Sequence, residues 1–167
     1  MTVLSGESVV LRPVLAADAA RLAEIGAEPE VARWWPGLTV GYFTAKAEGH
    51  DGVDAFAIEA GGELIGMAHS HEESSPEYRH AGIDIFLTSV RHGQGLGSDA
   101  VLTLARWLVR ERGHHRVTID PALGNARAIR AYERVGFRRV GVMRRHWRGP
   151  DGTWQDVLLM DALAEEL

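Results

Sequence analysis

The passage from His80 to Val109, HAGIDIFLTSVRHGQGLGSDAVLTLARWLV, constrains this chain more than any other. It starts as an alternating strand that becomes fully apolar, breaks at three glycines within five residues (Gly93, Gly95, Gly97), and continues as a helical run. Ala100, Val101, Leu104, Ala105 and Leu108 recur at the spacing of one buried helix face. A further strand follows in HRVTIDP. Strand, helix and strand in this order predict a right-handed crossover joining two parallel strands. The turn carries a second implication. Glycines take backbone conformations closed to other residues and admit close approach. The first helical turn leaves N–H groups without intrahelical partners, at the positive end of the helix dipole. Such a turn is an anion site, most aptly for phosphate.

The rest of the chain fixes the setting of that crossover. Glu7–Val14 reads as a first strand stopped by Pro13, and Leu15, Ala19, Leu22 and Ile25 keep helical spacing. EPEVARWW predicts a short helix entered through Pro29 and closed by Pro36, and a third helical piece covers Val40 to Glu48. DAFAIEA and ELIGMAHSH flank Gly61-Gly62 and predict a hairpin. A helix is expected from about Gly97 to Arg112, and another in GNARAIRAYERVG with Gly136 past its end. FRRVGVMRRHWR and TWQDVLLMDAL form a last hairpin around Gly149-Pro150-Asp151-Gly152. The expected architecture is α/β (α+β): one mixed, mostly antiparallel sheet of about seven strands with helices on both faces, over a single domain spanning residues 1–167.

Composition narrows the function. A net charge of −5 argues against a broad nucleic-acid surface and suits a cationic small-molecule partner. The absence of cysteine removes disulfides, thiolate metal sites and a cysteine nucleophile. No apolar run approaches the ~20 residues of a membrane span, and no signal-peptide pattern opens the chain, so a cytoplasmic protein without membrane partners is expected. The spacing G-x-G-x-G, in these surroundings, does not suit a dinucleotide-binding unit, and no Gly-Lys-Ser/Thr follows to make a Walker loop.

With that turn and element order, the chain resembles the GNAT superfamily of acetyl-CoA-dependent N-acetyltransferases. His92–Gly97 matches the family's Gln/Arg-x-x-Gly-x-Gly/Ala at Gly95 and Gly97 and departs at the first position. NARAIRAYERVGF matches Asn-x-x-Ala-x-x-x-Tyr-x-x-x-Gly-Phe. Asn125, Ala128 and Tyr132 then share one helix face over roughly 10 Å, where an extended ligand can lie. EVARWW, GIDIFL, GQGLG and IDPALGNARAIRAYERVGF look, in order, like segments of the aminoglycoside 6'-N-acetyltransferases. Siderophore-lysine and ribosomal-protein N-acyltransferases share much of the second half.

The resemblance implies an acetyl-CoA site and an amine acceptor. The amides from Gln94 through Gly95, Leu96 and Gly97 to Ser98 would hold the diphosphate; Asn125 and Ala128 would border the pantetheine arm. A main-chain N–H near Phe86 and Leu87 would meet the thioester carbonyl, and Tyr132 would protonate the departing thiolate. Asp84, where its strand splays from the next, would receive the amine proton directly or through water, and Asp120 would contact substrate. His69 and His71 share a strand face; they would line the acceptor cleft, and one of them is an alternative base. No metal is expected, because no third ligand is placed beside them. Trp34 and Trp35 suit either a platform for a sugar ring or core packing. The implied function is acetylation of an aminoglycoside-like polycation, an antibiotic-resistance activity; the alternatives are another amine acceptor or a catalytically idle acetyl-CoA-binding module. A monomer and a homodimer both remain open.

Overall fold

The structure is a computed structural model that describes residues 2–49 and 53–167. Its strands are β1 (Leu4–Ser5), β2 (Val10–Pro13), β3 (Asp54–Ala60), β4 (Glu63–Glu73), β5 (His80–Leu87), β6 (Arg116–Ile119), β7 (Arg138–Arg148) and β8 (Trp154–Leu163). Its helices are α1 (Ala19–Gly26), α2 (Pro29–Ala32), α3 (Val40–Glu48), α4 (Leu96–Arg110) and α5 (Ala126–Val135). The strands form one sheet in the order β1-β2-β3-β4-β5-β6-β8-β7, parallel only between β5 and β6. That parallel pair is the crossover expected around the glycine turn.

The sheet has one strand more than expected. Leu4–Ser5 pairs with Val10–Leu11, while Glu7 to Val9, read as the start of the first strand, form the connection. The Asp99 carboxylate accepts the main-chain N–H groups of Glu7, Ser8 and Val9, at 3.0, 2.6 and 3.1 Å. A partner about ninety residues away therefore turns a local strand pattern into a loop. α4 also begins one residue earlier than expected, at Leu96, with Gly95 as its cap.

Alternation along the strands divides the core between the two faces of the sheet. Phe56 and Ile58 pack with Val101, Leu104 and Leu108 of α4 and Ile129 of α5. Ala57, between them, packs with Leu22 and Ile25 of α1, Phe43 of α3, and Met67 and Phe86. α4 and α5 thus cover one face, and α1 to α3 the other. Glu28, just before α2, accepts from the Thr88 and Ser89 hydroxyls and the Ser89 N–H at 2.6–2.7 Å. This ties the tryptophans after α2 to the end of β5.

Candidate active site

The site originates in an incomplete strand pair. β5 meets β4 along its whole length, from Gly66↔Leu87 to Glu73↔His80. It meets β6 only at Ala81↔Val117 and Gly82↔Thr118. Beyond Gly82 the two parallel strands part, because β6 and the segment after it turn to β8: Leu158 donates to the Pro121 carbonyl at 2.9 Å, and Ala122 bridges Val157. The second half of β5 therefore has an edge without a neighbouring strand.

Hydrogen-bond alternation decides which groups that edge presents. Thr88 donates to Ile65 on β4, which places the Phe86 amide toward β4 and turns those of Ile85 and Leu87 to the open side. Consistently, the Leu87 carbonyl accepts from His92 Nε2 at 2.9 Å, on the side of the glycine turn. This register refines the expectation of an amide near Phe86 to the two flanking it, while Phe86 itself still borders a cleft on the α4 side. Its N–H serves the β4–β5 ladder, and its ring is buried against Trp35 and Phe43 at 5.6 and 5.9 Å.

On the α4 side of the splay lies a cleft bordered by Leu87, His92, Gly93, Gly95, Leu96, Gly97, Ser98, Asn125, Ala128 and Tyr132. Gly93 and Gly95 have φ of 75° and 79°, so the turn depends on glycine there. Gly97 has no such φ; a Cβ would approach Leu87 to 3.3 Å. The Gln94 side chain folds back to donate to the Val90 carbonyl at 3.1 Å. Ser98 Oγ donates to the Ala131 carbonyl and so joins α4 to α5. Arg91, Arg127 and Arg134 border the same cleft with one carboxylate, Glu30, and Arg91 is also ion-paired with Glu63 outside the lining. Open helix-start amides, three cations and an unpaired strand edge suit an extended, phosphate-bearing ligand.

A second cleft is bordered by Asp84, Asp120, Pro121, His146 and Trp147. The two clefts share Trp34, Trp35, Ile85, Asn125, Ala128 and Tyr132. Tyr132 is buried at this seam, and burial, reinforced by the negative charge of Asp84, holds its phenol well above the ordinary value. It keeps its proton throughout the neutral range. Asn125 caps α5 by accepting the Ala128 N–H at 3.2 Å, so its amide NH₂ is what remains for a ligand.

Asp84 Oδ2 lies 3.0 Å from His69 Nε2 and 3.5 Å from His71 Nδ1. Burial disfavours its charge, but the hydrogen bonds from the two imidazoles outweigh this and hold the carboxyl well below its usual range. His71 moves the other way. Its hydrogen bond to Asp84 outweighs desolvation and raises it above an ordinary imidazole; the Asp84 and Asp120 charges add to the shift and Lys46 opposes it. Gly82 stands opposite His71, and a Cβ there would come within 2.3 Å of the imidazole. Asp120 is raised by burial and then by Asp84, against the pull of His146 and His71; His146 Nε2 lies 3.7 Å from its Oδ2.

Two expectations change here. A third group does stand beside His69 and His71: their donor atoms and that of Asp84 lie within 4.8 Å of one another. His69 Nδ1, however, is buried without a partner, whereas a metal-ligating histidine normally has an outer acceptor on its second nitrogen. Neither histidine borders the acceptor cleft; they stand behind Asp84, His69 packed edge-on to Trp35 at 6.0 Å. The tryptophans combine packing with exposure to the clefts. Trp35 packs on Phe86 and Trp34 lies over Gly124, and both also border the clefts. His146 and Trp147 went unnoticed in the sequence. They lie in MRRHWR, a run of polar residues that usually means a solvated strand face; the signal was the lapse of alternation after Met143.

The family model described as an acetyltransferase (GNAT) domain matches residues 8–138. Aminoglycoside N(6')-acetyltransferase type 1 of Klebsiella pneumoniae is 30% identical over 168 residues, spanning 89% of this chain and 81% of that protein. RimJ of Mycobacterium smegmatis, solved in complex with CoA-disulfide, superposes with a TM-score of 0.86 at 26% identity, over 99% of this chain and 88% of its own. Aminoglycoside acetyltransferase AAC(6')-Ib, solved with coenzyme A, superposes with a TM-score of 0.78 at 27% identity, over 95% and 96%.

Proposed function

The chain belongs to the GNAT family of acetyltransferases, and from that premise we propose that it moves an acetyl group from acetyl-CoA to a primary amine of an aminoglycoside-like polycation, by direct attack in a ternary complex. The observation that carries this reading is the polarity of the joined clefts. Arg91, Arg127 and Arg134 border only the donor side, and Asp84 and Asp120 only the acceptor side. An anionic donor and a cationic acceptor are thereby sorted to opposite sides of one seam.

A thioester brings an already activated acyl group, so placement, polarisation and proton management are left to the chain. The Gln94–Ser98 amides bind the diphosphate, and the open β5 edge aligns the pantetheine arm. The Ile85 N–H, with that of Leu87, polarises the acyl carbonyl. Once neutral, the amine nitrogen forms the new bond to the carbonyl carbon as the carbon–sulfur bond breaks; Tyr132 gives its proton to the sulfur, and the second proton that nitrogen sheds as the amide forms replaces it. Asp84, held anionic by the two imidazoles, anchors the ammonium. His71, raised by Asp84 and standing beside it outside the cleft lining, takes the proton through water on the Asp84 side.

Release of free thiol from acetyl-CoA tests the acceptor. Kanamycin, lysine and a peptide amino terminus are compared at equal concentration, with kanamycin expected to give by far the largest kcat/KM. Turnover confined to the peptide or to lysine would overturn the aminoglycoside reading, and thiol release that ignores every amine would overturn acetyl transfer to an amine.

A further inference from the structure

We propose that Asp156 on β8 is a positioning residue that sets acceptor selection by holding two walls of the acceptor cleft together; the proposal rests on the acetyl-transfer reading above. Asp156 is not among the residues bordering the cleft. Its influence runs through two hydrogen bonds, one from each wall. The side chain, through Oδ1, accepts the main-chain N–H of Arg145 at 2.7 Å. The main-chain carbonyl accepts the N–H of Leu123 at 2.9 Å.

The first bond fastens a pronounced irregularity in β7. Met143 pairs with Val157 and Trp147 with Gln155, so residues 144–146 face Asp156 alone. Extra residues in one strand bend it and redirect the side chains that follow. Here His146 and Trp147 are turned to the acceptor cleft, His146 beside Asp120. Arg145 sits at φ 49° inside this bulge, the one non-glycine residue in the left-handed region among the described residues. A residue with a side chain stays there only when its surroundings hold it, and the Asp156 carboxylate is the hold on its N–H.

The second bond fastens the opposite wall. Leu123 belongs to the segment that leaves β6 through Asp120 and Pro121 and reaches Asn125, the cap of α5. The neighbouring Ala122–Val157 bridge and the bond from Leu158 to Pro121 keep this segment on β8. One residue thus couples the bulge carrying His146 and Trp147 to the loop carrying Asp120. The two bonds differ in reach: the main-chain bond supports a segment that ends at Asn125, on both clefts, whereas the carboxylate holds only the bulge, which borders the acceptor cleft alone. The Asp156 carboxylate therefore affects which amines bind, and how tightly, without altering acetyl-CoA binding.

The test compares Asp156→Ala with Asp156→Asn. The asparagine retains a side-chain carbonyl that accepts the Arg145 N–H. Removing the hold should raise the kanamycin KM about tenfold, as a displacement near 1 Å at a reactive site can cost more than that, while the acetyl-CoA KM stays put; asparagine should restore most of the loss. In ¹⁵N-labelled protein the Trp147 indole N–H resonance should shift or broaden in the alanine variant and not in the asparagine variant. Equal rises in both KM values, an unmoved kanamycin KM, an unmoved indole resonance, or an asparagine variant as impaired as alanine would each overturn the proposal. If the alanine chain does not fold by circular dichroism, Asp156→Thr, which keeps strand propensity, is read the same way. A wild-type enzyme that binds acetyl-CoA yet ignores kanamycin overturns the acceptor reading instead, and the indole resonance, which needs no turnover, then decides the role of Asp156.

Discussion

The donor side of the seam is built mainly from backbone and the acceptor side mainly from side chains. On the donor side, the amides of Leu96, Gly97 and Ser98 and the open β5 edge are fixed once α4 and β5 exist. On the acceptor side, Asp84, Asp120, His146 and Trp147 come from three separate strands or their ends, with His69 and His71 supplied behind them by a fourth. Backbone amides present the same group whatever the residue, which suits the one invariant ligand proposed for the donor side. Side chains vary freely, so the acceptor side is where a preference for one amine over another is written. Tyr132 belongs to both.

The sharpest way to probe this division is at the shared residue. Tyr132→Phe keeps the ring and removes the proton donor, and kcat should fall about 10²–10³-fold with little change in either KM. A parallel rise in the acetyl-CoA KM would make Tyr132 a binding group instead. Asp84→Asn should come next, with kcat/KM for the acceptor down by about 10²-fold. Its pH profile carries the finer information. A base must be unprotonated to act, so activity rises with pH through the pKa of His71, which Asp84 holds raised. Asparagine removes that support, and the ascending limb should move to lower pH. Were Asp84 itself the base, the limb would vanish.

Two smaller effects test the sides separately. Gly95→Ala meets no atom within 4 Å of the new Cβ, so its cost is the left-handed φ of 79° alone. This amounts to about 1–2 kcal/mol, seen as a lower Tm and an acetyl-CoA KM raised about tenfold with the kanamycin KM unchanged. Asp120→Asn should raise the kanamycin KM only about threefold, since a partly solvated ion pair contributes about 1 kcal/mol or less. Burial and Asp84 raise the Asp120 carboxyl, so it loses its charge at a higher pH than an ordinary carboxylate. The wild-type kanamycin KM should rise as pH falls through that range, and the asparagine variant should not follow it. An acetyl-CoA KM that moved with Asp120, or a kanamycin KM that moved with Gly95, would break the separation of the two sides.

Much of the fold was legible because its signals are local. The hairpin at Gly61-Gly62, the cap at Gly136, the α4 stripe and the crossover all depend on residues close in sequence. The error at Glu7–Val9 had a distant cause, three amides drawn to the Asp99 carboxylate. Within the site, the glycine turn, Asn125, Ala128 and Tyr132 were visible because a helix places them by its own period. The sequence could place an open amide only near Phe86, because which amides along β5 stay open is set by its pairing with β4.

Sequence alone determined the elements of the cleft proposed for the donor: glycines that permit left-handed turns, a helix start with open amides, and one helical face carrying Asn125, Ala128 and Tyr132. These are properties of contiguous segments, and no distant contact is needed to produce them. Only the tertiary structure decided the acceptor side. Whether His71 rests on Asp84 depends on the β4–β5 register and on the missing Cβ of Gly82; whether His146 and Trp147 reach the cleft depends on a β7 bulge whose partner is Asp156. Strand register and bulges are settled by long-range pairing, and a one-residue slip reverses the face on which every side chain stands.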